Sequence, residues 1–428
     1  MIKSKRLWRV GFIMENFTNG NTTCIHNLSD EQIINRYSLS LSLGGIGSLV
    51  IGLSGIFLNI IAILIMVTSE LKKSFFYWLL ICLVLCDTSF LVICVSEAFR
   101  NHIGSHPIHD YIFAVFLFPF RSMVMLGSIY FTIGLSIERY NALLNPISHR
   151  NPRCMVNKTE VFWLHRKRLL KYLLPILFVS VIFYISRFFE VEVITEEIEC
   201  TGKRDISNSS IRYKLEISDL RKNGTYILWY INVSNLLLTC VIPLVSILYL
   251  NCKVYIALRN YMKKKLSMPI LSTNEDIKHN QRLHGLQSEK IQQTFTLFGI
   301  IAVFIICHAL RVIMNVKELF DLENIKQSLA LGCNPWSYSF MVMVPISETL
   351  LQINCSVNFF IYCGLNQRYK KVFFKYLRSG LRSYRPSKTT IIRQNGPLCE
   401  QETKKMTTNT CEWCNIGYNE FISNCVFN

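Results

Sequence analysis

Ionisable side chains stand inside long apolar runs of this sequence, where each needs a partner or a function. Asp87 lies in the middle of LVLCDTSFLV, and the adjacent Glu138 and Arg139 close an apolar run that begins near residue 111. Charged groups in lipid-embedded segments are costly, so they usually face a bundle interior, pair with one another or mark a functional site. These positions are the first candidates for an ion site or a conformational switch.

Asp87 could hold a small cation if neutral polar residues at similar depth surround it. Such residues occur in three other apolar runs and include Asn59, Ser128, Asn354 and Asn358. One carboxylate among neutral oxygen atoms suits a small, hard cation. The alternative is a polar residue that is tolerated because it faces neighbouring helices.

A second group of charged residues is expected nearer the opposite end of the same runs. It comprises Glu97, Arg121, Arg311 and Glu348, each flanked by apolar residues. A lone buried charge is strongly unfavourable, so two acids and two bases at similar depth predict ion pairs. The group could be a self-satisfied network that fixes helix packing, or a ligand pocket whose charges await a charged partner. His308, close to Arg311, is a further candidate for this pocket, with a packing or switch role as the alternative.

Seven apolar segments are long enough to position these residues across a bilayer, which requires about 20 residues per helix. They are 44–67, 75–97, 111–137, 169–186, 226–250, 291–314 and 338–362. Only helices and closed barrels satisfy their backbone in lipid, and these segments are too long for barrel strands. The sequence therefore predicts an all-α membrane protein, a seven-transmembrane helix bundle. Apolar residues make up 51% of the chain, which favours a membrane over nucleic acid as the partner of its net charge of +18.

The loops indicate how the bundle is oriented. Lys72, Lys73, HRKR at 165–168 and KKK at 263–265 fall on one side, together with a basic C-terminal tail. Because cytoplasmic loops are enriched in Lys and Arg, this side is predicted to be inside and the N-terminus outside. Candidate glycosylation sequons on the outer side agree with this orientation: Asn16, Asn21, Asn27, Asn208 and Asn223. The predicted parts are an extracellular glycosylated segment (1–43), a membrane domain (44–366) and a cytoplasmic segment (367–428) with an amphipathic helix and a basic, disordered tail.

The motifs in these spans together resemble a class A (rhodopsin-like) G-protein-coupled receptor. The resemblance covers about 44–375 and rests on Asn59, Asp87, Glu138-Arg139-Tyr140, Pro243, Phe304 with Cys307, and NFFIY at 358–362. It implies a G-protein coupling switch at Glu138, Arg139, Tyr140 and Tyr362. It also implies an allosteric sodium ion at Asp87, with no other cofactor. RYKKVFFKYL resembles the short amphipathic helix of that family, with Phe373 and Phe374 as lipid-side anchors.

A closer resemblance is to invertebrate FMRFamide-receptor-like neuropeptide receptors. It is found in ISRFFEVEV, DLRKNGTYILWY, PLVSILYLN, ICHALRVIMN and NCSVNFFIYC. This resemblance implies a receptor rather than an enzyme, located in the plasma membrane as a multi-pass protein. The implied partners are an extracellular peptide, a heterotrimeric G protein, arrestin, receptor kinases and the lipid bilayer, without nucleic acid.

The sequence also departs from the family pattern. The cysteine expected at the start of the third span is Ala114, so Cys200 would pair with Cys24 or Cys333, or stay free. The other altered positions are Asn251 for Tyr, Lys290 for an acid, His308 for Trp, Leu310 for Pro and Phe359 for Pro. These changes leave open an atypical or orphan receptor with weak or ligand-independent signalling. A seven-span transporter or channel would need an internal repeat, which is not evident. A membrane hydrolase would need clusters of metal ligands within the spans.

Overall fold

The computed structural model describes residues 28–68, 71, 74–103, 107–144, 158–198, 210–266, 274–330 and 336–383. Most of these residues are helical. In chain order the principal helices are α1 (Asp30–Met66), α2 (75–103), α3 (107–144), α4 (158–189), α5 (224–266), α6 (Asn274–Phe320), α7 (338–365) and α8 (Gln367–Ser383). Among them, α7 consists of two segments, Tyr338–Ser356 and Asn358–Leu365, which meet at an angle of 42°.

The seven-transmembrane prediction is confirmed by this arrangement. In the described ranges, α1 to α6 are each long and apolar enough to cross a membrane, and the bent α7 makes a seventh span. A helix satisfies its own backbone hydrogen bonds, which allows such apolar segments to cross lipid. The protein is therefore a multi-pass membrane protein.

The helix α1 begins earlier than the predicted span at 44–67. Its first residue is Asp30, and Ser29 caps it: Ser29 Oγ accepts from the Gln32 amide at 3.3 Å, and Gln32 Oε1 accepts from the Ser29 amide at 3.2 Å. This reciprocal capping satisfies two backbone donors, and the acidic Asp30 and Glu31 interact favourably with the helix dipole. Polar residues with good capping chemistry thus extend the helix beyond its apolar part.

The helix α4 also begins before its predicted start at residue 169. It starts at Lys158, so HRKR at 165–168 lies in the helix rather than in a loop. Aromatic contacts stabilise this additional part: Phe162 packs against Trp78 with 5.6 Å between ring centres, and His165 packs against Phe75 at 5.9 Å. The apolar content of the span predicts too short a helix, because the additional part is stabilised by contacts with α2 and not by its own apolar content.

A β-hairpin follows α4, where only an acidic loop was expected. Strand β1 (Val191–Ile198) pairs antiparallel with β2 (Ser210–Ile217), in a register that places Val191 opposite Ile217 and Ile198 opposite Ser210. Short helices follow at Asp219–Lys222 and, after α6, at Leu322–Ala330. The end of the bundle that has the hairpin is called the hairpin end below, and the opposite end is called the Arg139 end.

The largest buried apolar cluster lies in the half of the bundle towards the Arg139 end. It includes residues from α1, α2, α3, α6 and α7, among them Met66, Leu80, Phe131, Phe304 and Tyr362. Glycine lets the helices approach closely around the core. A Cβ atom added at Gly55 of α1 would overlap Ser356 Oγ of α7, and one at Gly299 of α6 would meet Leu365 Cδ1 at 2.5 Å. Small residues commonly allow such close contacts in membrane bundles.

The helix α8 packs on the Arg139 end. Asn366 precedes it and accepts from the Tyr369 amide at 3.0 Å, while its Nδ2 donates to the Tyr77 hydroxyl at 3.0 Å. Phe373, one of the two predicted lipid-side anchors, is half-buried and packs against Phe359 at 5.5 Å between ring centres. Phe374 is exposed. The proline of the family is thus replaced by an aromatic ring that forms part of the α7–α8 contact.

Candidate functional site

The adjacent Glu138 and Arg139 lie near the end of α3, and both side chains are buried. Glu138 Oε2 accepts from Arg168 of α4 at 2.8 Å, while the nearest approach of Glu138 to Arg139 is 3.7 Å. Arg168 also stacks over the Phe75 ring at 4.7 Å. Glu138 is therefore held more closely by α4 than by its own neighbour, and Arg139 is left to find partners elsewhere.

Arg139 finds its principal partner on α6, and that partner is neutral. Arg139 Nη1 donates to Gln293 Oε1, and its guanidinium lies over the Phe76 ring at 4.5 Å. Lys290, at the position where the family has an acid, instead donates to the Ala142 carbonyl at 3.3 Å. Gln293 was not a candidate in the sequence. Its signal was its place three residues after Lys290, on the same side of the helix.

The two tyrosines predicted for the switch occupy different surroundings. Tyr140 packs in a cluster with Leu143, Val254 and Leu258, against α5. Tyr362 is buried, and its ring meets Tyr369 of α8 with 5.7 Å between centres. In this conformation Glu138 and Arg139 join α3 to α4 and α6, while the two tyrosines belong to contacts with α5 and α8.

The residues predicted around Asp87 converge only in part. Asp87 is buried and accepts from Ser128 Oγ at 2.6 Å and from Asn358 Nδ2 at 2.6 Å. Asn59 instead donates from Nδ2 to the Cys355 carbonyl at 3.1 Å, which joins α1 to α7. Asn354 lines a small cavity beside Ser128. The site thus joins α1, α2, α3 and α7 through side chains that the sequence had marked.

The second predicted group forms a continuous ion-pair network near the hairpin end. Arg121 of α3 donates to Glu97 of α2 at 3.1 Å and to Glu348 of α7, and Arg311 of α6 donates to Glu348 at 3.1 Å. The side chains of all four residues are 20 to 27% exposed. The two acids and two bases therefore neutralise one another, as predicted, in a partly open position.

His308 lies one helical turn from this network, towards Asp87. Its ring stacks on Phe304 of the preceding turn, with centroids 4.1 Å apart. It also lines the cavity beside Ser128, together with Asn354 and Leu351. His308 thus packs against Phe304 and faces this cavity, between the depth of Asp87 and that of the ion-pair network.

A third buried polar cluster, absent from the sequence-based candidates, holds the base of the hairpin. The Glu190 side chain is fully buried and accepts hydrogen bonds from Arg221 and, at 2.8 Å, from the Tyr226 hydroxyl. Arg187 forms an ion pair with it at 3.6 Å. The backbone closes the same point, since Ser218 N donates to the Glu190 carbonyl at 3.1 Å. In the sequence Glu190 is one of several acids in EVEVITEEIE, and nothing in this run distinguishes the buried acid from the others.

Several predicted modification sites lie outside the described residues. These are Asn16, Asn21, Asn27 and Asn208 for glycosylation and Cys24, Cys200 and Cys333 for a disulfide. Asn223 is described: it is exposed before α5, and its Oδ1 accepts from the amides of Thr225 and Tyr226 at 2.9 and 3.2 Å. Ala114 is buried in α3 near the hairpin end.

Comparisons with known proteins cover most of the bundle. Residues 58–362 match the sequence profile described as 7 transmembrane receptor (rhodopsin family). The FMRFamide receptor of Drosophila melanogaster is 24% identical over 332 residues, which are 76% of this chain and 52% of the relative. The FMRFamide peptide receptor frpr-18 of Caenorhabditis elegans is 22% identical over 339 residues, 78% of this chain and 68% of the relative. The chain thus spans about half the length of the Drosophila relative and about two thirds of the nematode one.

Proposed function

Because the chain belongs to the rhodopsin family of seven-transmembrane receptors, we propose that it is a G-protein-coupled receptor for an extracellular peptide. The hairpin end would face the outside of the plasma membrane. Its opposite end supports this orientation, because cationic side chains collect there: Arg166, Lys167, Lys171, Arg259, Lys370 and Lys371. The names of both relatives support an amidated peptide that contains arginine.

The observation that carries the proposal is the partly open network of Glu97, Arg121, Arg311 and Glu348. Glu348 already holds two guanidinium groups, whereas Glu97 pairs with Arg121 through Oε2. A peptide guanidinium could therefore bind Glu97 with the smaller loss of existing contacts. Such charge-assisted hydrogen bonds are directional and short, which suits recognition of one arginine in a peptide.

Signalling follows if the peptide prefers a conformation that the resting network disfavours. A ligand shifts an equilibrium only by its difference in affinity for the two states. We expect the hairpin-end network to rearrange and the inner part of α6 to move outward, so that Arg139 leaves Gln293. The opened groove would then accept the C-terminal helix of a G protein. Arrestin and receptor kinases are expected to use the same end.

The test is a G-protein activation assay in cells with FMRFamide, its free acid and an analogue with citrulline in place of arginine. Loss of a charged hydrogen bond costs about 1.5–3 kcal/mol, so citrulline should raise the effective concentration roughly tenfold to hundredfold. In Glu97→Gln the effective concentrations of FMRFamide and of its citrulline analogue should become nearly equal. Glu192→Gln, an exposed change on the hairpin, is the matched control.

Two results would contradict the proposal. One is a Glu97→Gln receptor that still discriminates arginine from citrulline, which removes the pocket assignment. The other is full G-protein coupling by Arg139→Ala at normal surface expression, which removes the switch. A charge swap between Arg121 and Glu348 would test whether the remaining pair serves the ligand or only the packing of the helices.

An atypical receptor with ligand-independent signalling is the second candidate. The observation that favours it is the neutral Gln293 beside Arg139, since a hydrogen bond to an amide restrains a cation less than an ion pair does. Basal G-protein activation without any peptide separates the two candidates. High basal activity that no peptide in the panel increases would support this second function.

We also propose that sodium binds at Asp87. The donor set fits: Ser128 Oγ and Asn358 Nδ2 each lie 2.6 Å from the Asp87 carboxylate, and carboxylate, hydroxyl and amide groups carry the oxygen atoms that a small, hard cation prefers. Bound sodium would supply a positive charge that offsets Asp87. At the hairpin end, we propose that Asn223 is glycosylated. The residue is exposed, and its Oδ1 caps the following helix, whereas a sugar would be attached to the side-chain nitrogen.

A further inference from the structure

We propose that Glu289 and Arg368 are positioning residues for Arg139, which act through Gln293 and thereby couple the switch to α8. The proposal rests on the proposed function in one respect, namely that Arg139 is the residue that meets the G protein. It assigns to Glu289 the acidic role at this end of α6, where the family has an acid at the position of the neighbouring Lys290. It also assigns the cation that restrains this acid to the first turn of α8.

The contacts form an unbroken series from α3 to α8. Arg139 Nη1 donates to Gln293 Oε1, and Gln293 Nε2 donates to Glu289 Oε1 at 3.2 Å. The same oxygen of Glu289 accepts from Arg368 Nη1. A parallel contact joins the same two helices, where Gln292 Nε2 donates to Gln367 Oε1 at 3.4 Å. The inner part of α6 is therefore held by α3 on one side and by α8 on the other.

The acid sets which way the Gln293 amide faces. An amide group offers a carbonyl as acceptor and an NH2 group as donor, and Arg139 can only donate. With Glu289 Oε1 and Ser74 Oγ at 3.2 Å from Nε2, the carbonyl is left for Arg139. If the acid turned away, the amide could rotate and present its donor to the guanidinium. Glu289 thus orients Gln293, and Arg368 keeps Glu289 in place.

The burial of these groups suits a lock that holds and can release. Gln293 is 2% exposed, whereas the side chains of Glu289 and Arg368 are 15% and 28% exposed. The inner link is shielded from solvent, while the outer ion pair is partly open to it. Ion pairs that are partly exposed are weak enough to break. A movement of α8 that withdraws Arg368 would therefore loosen Arg139 without any change at the ligand end.

The experiment measures basal G-protein activation and an inner distance in the same variants. The distance joins spin labels on non-natural residues at two exposed positions, Leu164 of α4 and Phe295 of α6, in lipid nanodiscs, which leaves the cysteines untouched. Arg368→Gln should raise basal activation on the order of threefold to tenfold, as expected for loss of one partly exposed charged contact. Arg368→Gln should also increase the fraction of molecules in which the two spin labels are far apart. Arg368→Lys should restore much of the wild-type behaviour.

Epistasis separates the series of contacts from a general loosening. In a Gln293→Met background, Arg368→Gln should add nothing, because the link through which it acts is gone; independent effects would add. Lys371→Gln, an exposed loss of charge on the same helix, is the control and should leave both measurements unchanged. Two results would overturn the proposal: additive effects of Arg368→Gln and Gln293→Met on basal activation, or an Arg368→Gln variant whose spin-label distance equals that of the wild type. The distance does not depend on a G protein, so a failure of coupling alone would count against the proposed function instead.

Discussion

The fully buried Glu190 gives the strongest test of how the hairpin is held over the bundle. Glu190→Gln keeps the shape of the side chain but removes the charge that Arg221, Arg187 and the Tyr226 hydroxyl share. Breaking a buried ion pair by neutralising one partner costs about 3–5 kcal/mol. Arg221 is 29% exposed and can regain water, so we expect roughly 1.5–3 kcal/mol after allowing for screening.

The assay for this variant is thermal unfolding of the purified receptor, together with affinity for the activating peptide. For domains of 150–250 residues, 1 kcal/mol corresponds to about 2–4 °C in Tm. A longer membrane chain should shift less per kcal/mol, so a fall of a few degrees is expected. The affinity for the peptide should also decrease, because the loosened hairpin lies at the end of the bundle where the peptide is proposed to bind. The four-charge network itself is not altered by this substitution.

The control is Glu192→Gln, two residues further along β1 and exposed, which should change stability by about 0.5 kcal/mol or less. If the Glu190→Gln receptor unfolds at the temperature of this control and binds peptide equally well, the cluster does not hold the hairpin. The reasoning from burial would then be refuted, since no other described contact was used to derive the effect.

Two further predictions concern the interior of the bundle. Gly55→Val should destabilise the receptor by about 1–3 kcal/mol, because the added side chain would overlap Ser356 and Leu91, and the loss should appear in thermal unfolding. Gly364→Ala, which has open space beside it, should be neutral. Equal thermal stability of the two variants would contradict the close approach of α1 to α7. Asp87→Asn should abolish any effect of sodium on peptide affinity when sodium is exchanged for a large organic cation, and a sodium effect that survives in this variant would place the ion elsewhere.

The sequence predicted the parts of the fold that depend on local composition. Long apolar runs fix the number of spans, and charges within them identified Asp87 and the four-charge network before any contact was known. Helix ends were less accurate for a physical reason. The capped start of α1 at Ser29 and the aromatic contacts of α4 with Phe75 and Trp78 add helix where apolar content is low.

Partners across large sequence separations were not predictable in the same way. The link between Arg139 and Gln293 joins residues 154 positions apart, and that between Asn59 and Cys355 joins residues 296 apart. A single sequence states which groups are polar, but not which of several neighbours each will choose. The hairpin had a sequence signal, because Ser210–Ile217 alternates polar and apolar residues at every position, which is typical of a strand. The charge of the neighbouring acidic run obscures this signal.

At three departures from the family pattern, Phe359, Ala114 and Lys290, other residues make contacts in the same part of the bundle. Phe359 replaces a proline, yet α7 still bends by 42°, and Ser356 Oγ donates to the Gln352 carbonyl at 2.7 Å just before the bend. A serine that bonds back to the carbonyl four residues earlier often bends a helix. The Asn358 side chain then holds the second segment against Asp87 at 2.6 Å. The bend thus rests on side-chain contacts in place of a proline ring.

The same reasoning applies at both ends of the bundle. At the hairpin end, Ala114 stands where the family has a cysteine, and the buried carboxylate of Glu190 ties the hairpin to α4 through Arg187 and to α5 through Tyr226. Arg187 in turn lies 5.5 Å from the centre of the Phe118 ring in α3, so the cluster also reaches the helix that lacks the cysteine. At the Arg139 end, Gln293 takes the place of the acid that Lys290 replaced. Polar contacts of this kind are weaker and more easily reversed than a disulfide or a direct ion pair. A receptor built on them should therefore respond to smaller differences in ligand affinity between its two states.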